Sequence, residues 1–365
     1  MLSSVKCLDL SRVLAGPLAT MILGDLGAKV IKVERPGTGD DTRSWGPPFD
    51  ERGESAYYLS INRNKKSVAL DLDRPADTAI ILGLVAGSDV VVDNFRLGTL
   101  EMRGIDPDAV LEENPNLIWC TITGFGEESP RAGYDLVVQA ESGWMSITGD
   151  PEGEPMRAGV ALADIIAGKD AAIAILAALA ARGVSSEPLS ADERRIHISL
   201  LASATATLIN VAQNSLVTGV DAKRWGNQHP NLVPYQLFHA SDRPLILAVG
   251  NDAQWLAAAS VLELDDLRGD ESLRTNAGRL AARDRIVTAV AAKLMERPAA
   301  EWITGLDEVG VPCGVVKTVL ETLSEVGGSR LTGIPPSIPG SVRLPPPMLD
   351  EHGRAIREAG WKVFD

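Results

Sequence analysis

Asp164, in the run GVALADIIAG, stands just before an alanine-rich stretch, Ile165–Arg182, that reads as a long helix. An aspartate in that place bonds the first free N–H groups of the helix as a cap. The positive end of the helix dipole favours its ionised form. A carboxylate nucleophile needs no base, only ionisation and position. Local sequence leaves both roles open, a structural cap and a nucleophile.

The commonest chemistries of α/β chains lack their residues here. A dinucleotide site needs G-x-G-x-x-G between the first strand and its helix, and that turn is SRVLAGP, with one glycine. Gly37-Thr38-Gly39 leads into DDTRSWGPP, which starts no helix. There is no Walker loop and no G-x-S-x-G elbow. The three cysteines, Cys7, Cys120 and Cys313, are odd in number and far apart, which excludes a disulfide scaffold and fits a reducing cytoplasm. The four histidines (His197, His229, His239, His352) are scattered, so no structural zinc or other metal site is expected.

A net charge of −14 argues against nucleic acid as a partner. Residues 1–105 hold 13 Lys+Arg against 14 Asp+Glu, while the remainder carries nearly all of the excess. An anionic ligand is therefore better placed on the first 105 residues. The longest apolar run, near Ala171–Ala181, is mostly alanine and too weakly hydrophobic to span a bilayer, so no membrane partner is expected.

At 365 residues the chain predicts about two domains, and 45% apolar content supplies core for both. Strands are predicted at Val5–Leu10, Ala28–Glu34, Ser67–Asp73, Asp89–Phe95 and Leu117–Phe125, with helices at Pro17–Leu26, Ala76–Ala86 and Asp108–Glu113 between them. This alternation predicts a mostly parallel sheet flanked by helices, Rossmann-like but without the fingerprint. The small-sided helix Ile165–Arg182 is expected to pack closely on a neighbour. From Arg243 the pattern restarts as a smaller α/β unit, with PLILAVG as a strand, helices around Ala253–Leu262, Gly278–Met295 and Ala299–Val309, and a strand around Gly314–Lys317. Residues 335–347 hold six of the 22 prolines and must run extended over a surface. The expected division is a large domain from 1–195 with 340–365, a small one at 222–320, and linkers at 196–221 and 321–339.

Ten segments, in order, resemble family III CoA-transferases, the family of formyl-CoA transferase, carnitine-CoA transferases and α-methylacyl-CoA racemase. They begin with LDLSRVLAGPLATMILGDLGAKVIKVERPGTGDDTR and INRNKKSVALDLD. DVVVDNFRLG, NPNLIWCTITGFG, GYDLVVQAESGWMSITG and GVALADIIAG follow. RWGNQHPNLVPYQLF, LAVGNDAQW, TNAGRLAARD and RLPPPMLDEHGRAIREAG complete the series. The resemblance implies an interlocked homodimer. It also implies an acyl-CoA and a small carboxylic acid as substrates, with coenzyme A as substrate and product rather than a bound cofactor.

By the same resemblance Asp164 is the nucleophile, forming aspartyl anhydride and aspartyl-CoA thioester intermediates. Gly226, Asn227 and Gln228 resemble the family's mobile loop over the active site. CoA carries phosphates, so basic partners are expected among Arg35, Arg43, Lys65, Lys66, Arg96 and Arg103. Arg35, the turn Asn94-Phe95-Arg96 and Arg103 are the best of these. Tyr134 stands where the racemase branch has histidine, which favours the transferase over α-methylacyl-CoA racemase, and Asp135 is a loop or substrate contact. A non-catalytic acyl-CoA-binding relative is the remaining alternative.

Three departures from the family pattern stand out. The linker VSSEPLSADERRIHISLL lacks a glycine-rich turn and has His197 where aspartate is common. Asp242-Arg243 replaces an Asp-Gly turn, so either Arg243 is strained or the turn is of another type. The segment Ser329–Val342 is short and proline-rich.

Overall fold

The structure, a computed structural model, describes residues 1–185 and 187–365. The chain divides into two compact units, residues 1–145 with 157–221 and 323–365, and residues 146–156 with 222–322.

The larger unit is built on a six-stranded sheet in the order β3-β2-β1-β4-β5-β6, parallel throughout. The strands are β1 Lys6–Asp9, β2 Lys29–Glu34, β3 Lys65–Ala69, β4 Val90–Asp93, β5 Ile118–Thr123 and β6 Arg195–Ser199. The β-branched run of β4 is buried at every position, because helices cover both faces of a parallel sheet. Alternate residues sort between two cores. Cys7, Val30, Val90, Val92 and Cys120 face one. Leu8, Ile31, Val91 and Trp119 face the other.

The first core is closed by α1 (Ala15–Asp25) and the helix Leu162–Val184. The longer helix contributes Ala163, Ala167, Ala171 and Ala172. A Cβ on Gly168 would lie 2.6 Å from the Ala15 carbonyl oxygen, so the expected close packing occurs against α1 inside the unit. The second core is closed in part by the C-terminal segment, with Ile356 and Trp361 buried and Trp361 Nε1 donating to the Leu84 carbonyl at 2.9 Å. Residues 335–347 form no helix or strand. Leu344 within this stretch accepts from the Asn64 N–H just before the edge strand β3, and His352 just beyond it donates its N–H to the Ser67 carbonyl on β3.

β3 begins two residues earlier than expected and stops at Ala69. Its charged start is drawn in because Lys65 finds a buried partner in Asp9 at 2.8 Å. Residues 196–221 carry most of β6 and two helices, Leu200–Ala206 and Ile209–Thr218.

The smaller unit has an antiparallel sheet, β7 (Tyr235–His239), β8 (Pro244–Ala248) and β9 (Cys313–Val315), packed on Trp255, Trp302 and Ile286. The helix expected over Gly278–Met295 is two helices, Asn276–Ala281 and Arg283–Leu294. Arg279, fully buried, draws the first of them toward the Val233 carbonyl and Asp252. Arg243 keeps an ordinary φ, so its turn is of another type, and its guanidinium pairs with Glu321 at 3.0 Å.

Among the described residues no single helix is long and apolar enough to cross a membrane, and no cluster of three metal-ligating side chains occurs.

Candidate active site

Ligands of open parallel sheets bind beyond the carboxyl ends of the strands. Here the turns after β1 and β4, the end of β5 and the segment Ser129–Asp135 enclose a cavity of about 250 Å³, and Asp164 lines it. A second cavity of about 270 Å³ lies beside β2 and is lined by Arg35, Leu70 and Arg103. Arg12 and Phe95 line both cavities, the guanidinium sitting 5.5 Å from the ring centroid.

Asp164 is not the cap. The helix starts at Leu162, which puts Asp164 in its first turn, and Ala161 at the cap position offers no side-chain bond. Asp135 does that work from the neighbouring element. Its Oδ1 accepts from the N–H groups of Ala163 at 2.8 Å and Asp164 at 3.4 Å. A place in the first turn still favours the ionised form, but two stronger effects oppose it. Burial, then the nearby Asp135 charge, pushes the Asp164 carboxyl up to about 7. Burial, then the same two carboxylates, pushes the Tyr57 hydroxyl up to about 12.

Asp135 is itself fixed, its Oδ2 accepting from Gln139 Nε2 at 2.6 Å. Tyr134 precedes it at the start of the helix Asp135–Glu141 and lines the cavity with 66% of its surface exposed.

The candidate basic residues divide. Arg96 is exposed and lines the Asp164 cavity. Arg35 and Arg103 line the second cavity, Arg35 pairing with Asp41 and Arg103 with Asp73 at 2.9 Å. Arg43, Lys65 and Lys66 are spoken for. Arg43 is buried on Glu34, Glu54 and Tyr58 at 2.6–2.8 Å. Lys65 is buried on Asp9, and Lys66 donates to the Val363 carbonyl. Asn94 spends its amide on the backbone of Arg12, accepting from its N–H at 2.8 Å and donating to its carbonyl at 2.7 Å.

Gly226, Asn227 and Gln228 belong to the smaller unit, where Gly226 takes φ +58° and its N–H donates to the Gly149 carbonyl at 3.1 Å. His197 sits on β6 with Nε2 3.0 Å from Glu127.

Arg12, Val13, Tyr57 and Arg131 were not singled out from the sequence. Arg12 and Val13 lie within SRVLAGP, the turn after the first strand, and that position was the available signal. Tyr57 and Arg131 carried none, because only the fold brings their segments to this end of the sheet.

The arrangement can present an acyl-bearing ligand to a half-buried carboxylate, with cationic and apolar walls nearby. The chain matches CoA-transferase family III over residues 2–328. It is 41% identical to the succinyl-CoA:glutarate CoA-transferase of Mus musculus, covering 97% of this chain and 85% of that protein. It is 40% identical to the succinate–glutarate CoA-transferase of Agrobacterium fabrum, covering 89% and 82%. A crystal structure of a CAIB/BAIF family protein from Brucella suis superimposes with a TM-score of 0.84 at 37% identity, covering 98% of each chain. With matches of this extent along the whole chain, the protein is an enzyme belonging to CoA-transferase family III.

Proposed function

We propose that the enzyme moves CoA from a dicarboxylic acyl-CoA, such as succinyl-CoA, to a free dicarboxylic acid such as glutarate, with Asp164 as the nucleophile. The observation that carries this reading is a carboxylate that ionises near neutral pH and opens into the cavity at the strand ends. The substrate class is suggested by the names of the two relatives and by Arg12, Arg96 and Arg131 on the wall of the same cavity. Guanidinium groups suit a second carboxylate.

In this reading Asp164 attacks the thioester carbonyl, the C–S bond breaks, and CoA leaves as thiolate from an aspartyl–succinyl anhydride. The thiolate attacks the aspartyl carbonyl, the C–O bond to succinate breaks, and succinate departs from an aspartyl-CoA thioester. The acceptor carboxylate attacks that thioester and releases the thiolate again. Attack of the thiolate on the acceptor's acyl carbon then frees Asp164 and forms the new acyl-CoA. No proton is gained or lost over the cycle. Asp135 keeps Asp164 in place by holding the first N–H groups of its helix.

In deuterated water the α-hydrogen of a 2-methylacyl-CoA should not exchange, and a new acyl-CoA should form from succinyl-CoA only when a free acid is added. Mass spectrometry of both reactions checks this. Rapid α-deuteration without an acceptor would replace the transferase reading with the racemase one.

Arg96 and Arg103 are the proposed CoA contacts open to a simple test. Arg96→Ala should weaken CoA binding by about 1–3 kcal/mol. Arg103→Ala should lose less, because its guanidinium already has Asp73. Titration calorimetry with CoA and dephospho-CoA separates contacts to the ribose phosphate from the others, and unchanged affinity in both variants would move the phosphates elsewhere.

A homodimer is part of the proposal. The helix Ile209–Thr218 buries none of its residues and leaves Ile209, Leu216 and Val217 exposed, an apolar face that a second copy would cover.

A further inference from the structure

The turn between β1 and α1 brings Arg12, Val13, Leu14 and Ala15 to the wall of the Asp164 cavity. Its backbone is tied down from several other elements. Ser11 donates its N–H to Asp9 at 3.0 Å, and its carbonyl accepts from Lys32 at 2.8 Å. Asn94 binds both polar groups of the Arg12 backbone. Lys65 donates to the Pro17 carbonyl at 2.9 Å. Val13 donates its N–H to the carboxylate of Asp40, 3.3 Å from each oxygen.

Within this clamp Val13 holds φ at +71°. A β-branched residue reaches the left-handed region only under strain, and such strain persists where the surroundings over-determine it. Asp40 is the group that faces Val13. It is 1% exposed and comes from the loop after β2. Its carboxylate also accepts from the Thr42 N–H at 3.0 Å, the Thr42 hydroxyl at 2.8 Å and Lys32 at 3.0 Å. Asp9 and Lys65 complete a buried set of two anions and two cations, with Lys65 2.8 Å from Asp9. A rigid, charge-balanced base of this kind fixes the Val13 N–H far more firmly than solvent would.

We infer that Asp40 is a positioning residue for CoA transfer, holding Val13 in its left-handed conformation so that the Arg12–Ala15 turn keeps the shape the reaction needs. The inference rests on the reading of the Asp164 cavity as the reaction site. Released from Asp40, Val13 relaxes toward negative φ, and the peptide planes on either side swing with it.

Steady-state kinetics of Asp40→Asn, Val13→Gly and the double variant test it, with rates scaled to the folded fraction. Asp40→Asn should lower kcat about tenfold or more, with a smaller change in KM, the size expected for a displaced wall of a reacting site. Glycine adopts φ +71° without strain, so Val13→Gly in the Asp40→Asn background should restore kcat by about fivefold, a coupling that a merely structural aspartate would not give. If Asp40→Asn does not fold, Thr42→Val carries the test, since it removes one bond to Asp40 and leaves the Lys32 pair. Its kcat should then fall and be recovered by Val13→Gly. Unchanged kcat in Asp40→Asn (or in Thr42→Val, where that variant is used), or strictly multiplicative effects in the double variant, would overturn the inference. Asp164→Asn in the same assay separates the two failures. If it is active, the site itself is misread. If it is inactive while Asp40→Asn turns over normally, only the positioning role falls.

Discussion

Asp164→Ala should abolish CoA transfer, lowering kcat by on the order of 10³-fold or more, while the protein folds normally. The substitution deletes the oxygen proposed to attack, and no other side chain occupies that place. The fold should survive because Asp164 caps nothing. The first N–H groups of its helix are held by Asp135. Asp164→Asn should be equally inactive, since a neutral amide cannot replace a carboxylate nucleophile.

The two variants also report on the ionisation of the wild-type group. Its folded pKa, about 7, lies above the ordinary aspartate value of 3.8, so the folded state binds more protons across that window. Stability therefore falls as pH rises from about 4 to about 7, and the penalty is complete above 7. Asp164→Asn escapes that penalty. It should melt higher than wild type at pH 8 and level with it near pH 4, as read by thermal denaturation followed by circular dichroism. Equal melting temperatures at both pH values would mean that the carboxyl is not strained toward its neutral form.

The second large effect is on pH dependence. In the proposed mechanism only the ionised carboxylate attacks, so kcat/KM should drop about tenfold per pH unit below about 7. Asp135→Asn removes the neighbouring charge but keeps an oxygen to accept from Ala163 and Asp164. The acid limb of its profile should move to lower pH without reaching an ordinary aspartate value, because burial is the larger cause of the shift. A limb that stays near 7 would assign the whole shift to burial. A limb that moves up would contradict the geometry, in which the two carboxylates repel.

Much of the larger unit was legible because its strands are compact β-branched runs between turn residues. DVVVDNF and AKVIKVE had few other ways to fold. The errors fall where long-range partners decide. KKSVA became the strand instead of SVALDLD because Lys65 has Asp9 to meet in the interior, and Asp9 lies 56 positions away. Arg43 read as a free cation because its partners lie too far along the chain for a helix or strand spacing to pair them. Glu34 and Glu54, which bury it, come from either side of its own loop. The start of the long helix was placed three residues late, since Leu162 and Ala163 carry no cap signal and the capping carboxylate comes from Asp135. That slip turned Asp164 from a group in a raised, half-buried state into an ordinary cap. Tyr57 beside Asp164, and Val13 on Asp40, depend on how separate turns meet at the strand ends, and no local pattern encodes that meeting.

The proposed nucleophile can be tested directly. Enzyme mixed with succinyl-CoA and no acceptor acid, quenched in acid and digested, should yield the Asp164 peptide heavier by CoA less one water. Hydroxylamine should convert the same residue to its hydroxamate. An unmodified Asp164 peptide from enzyme that turns over in the same preparation, or CoA carried on another residue, would contradict the account.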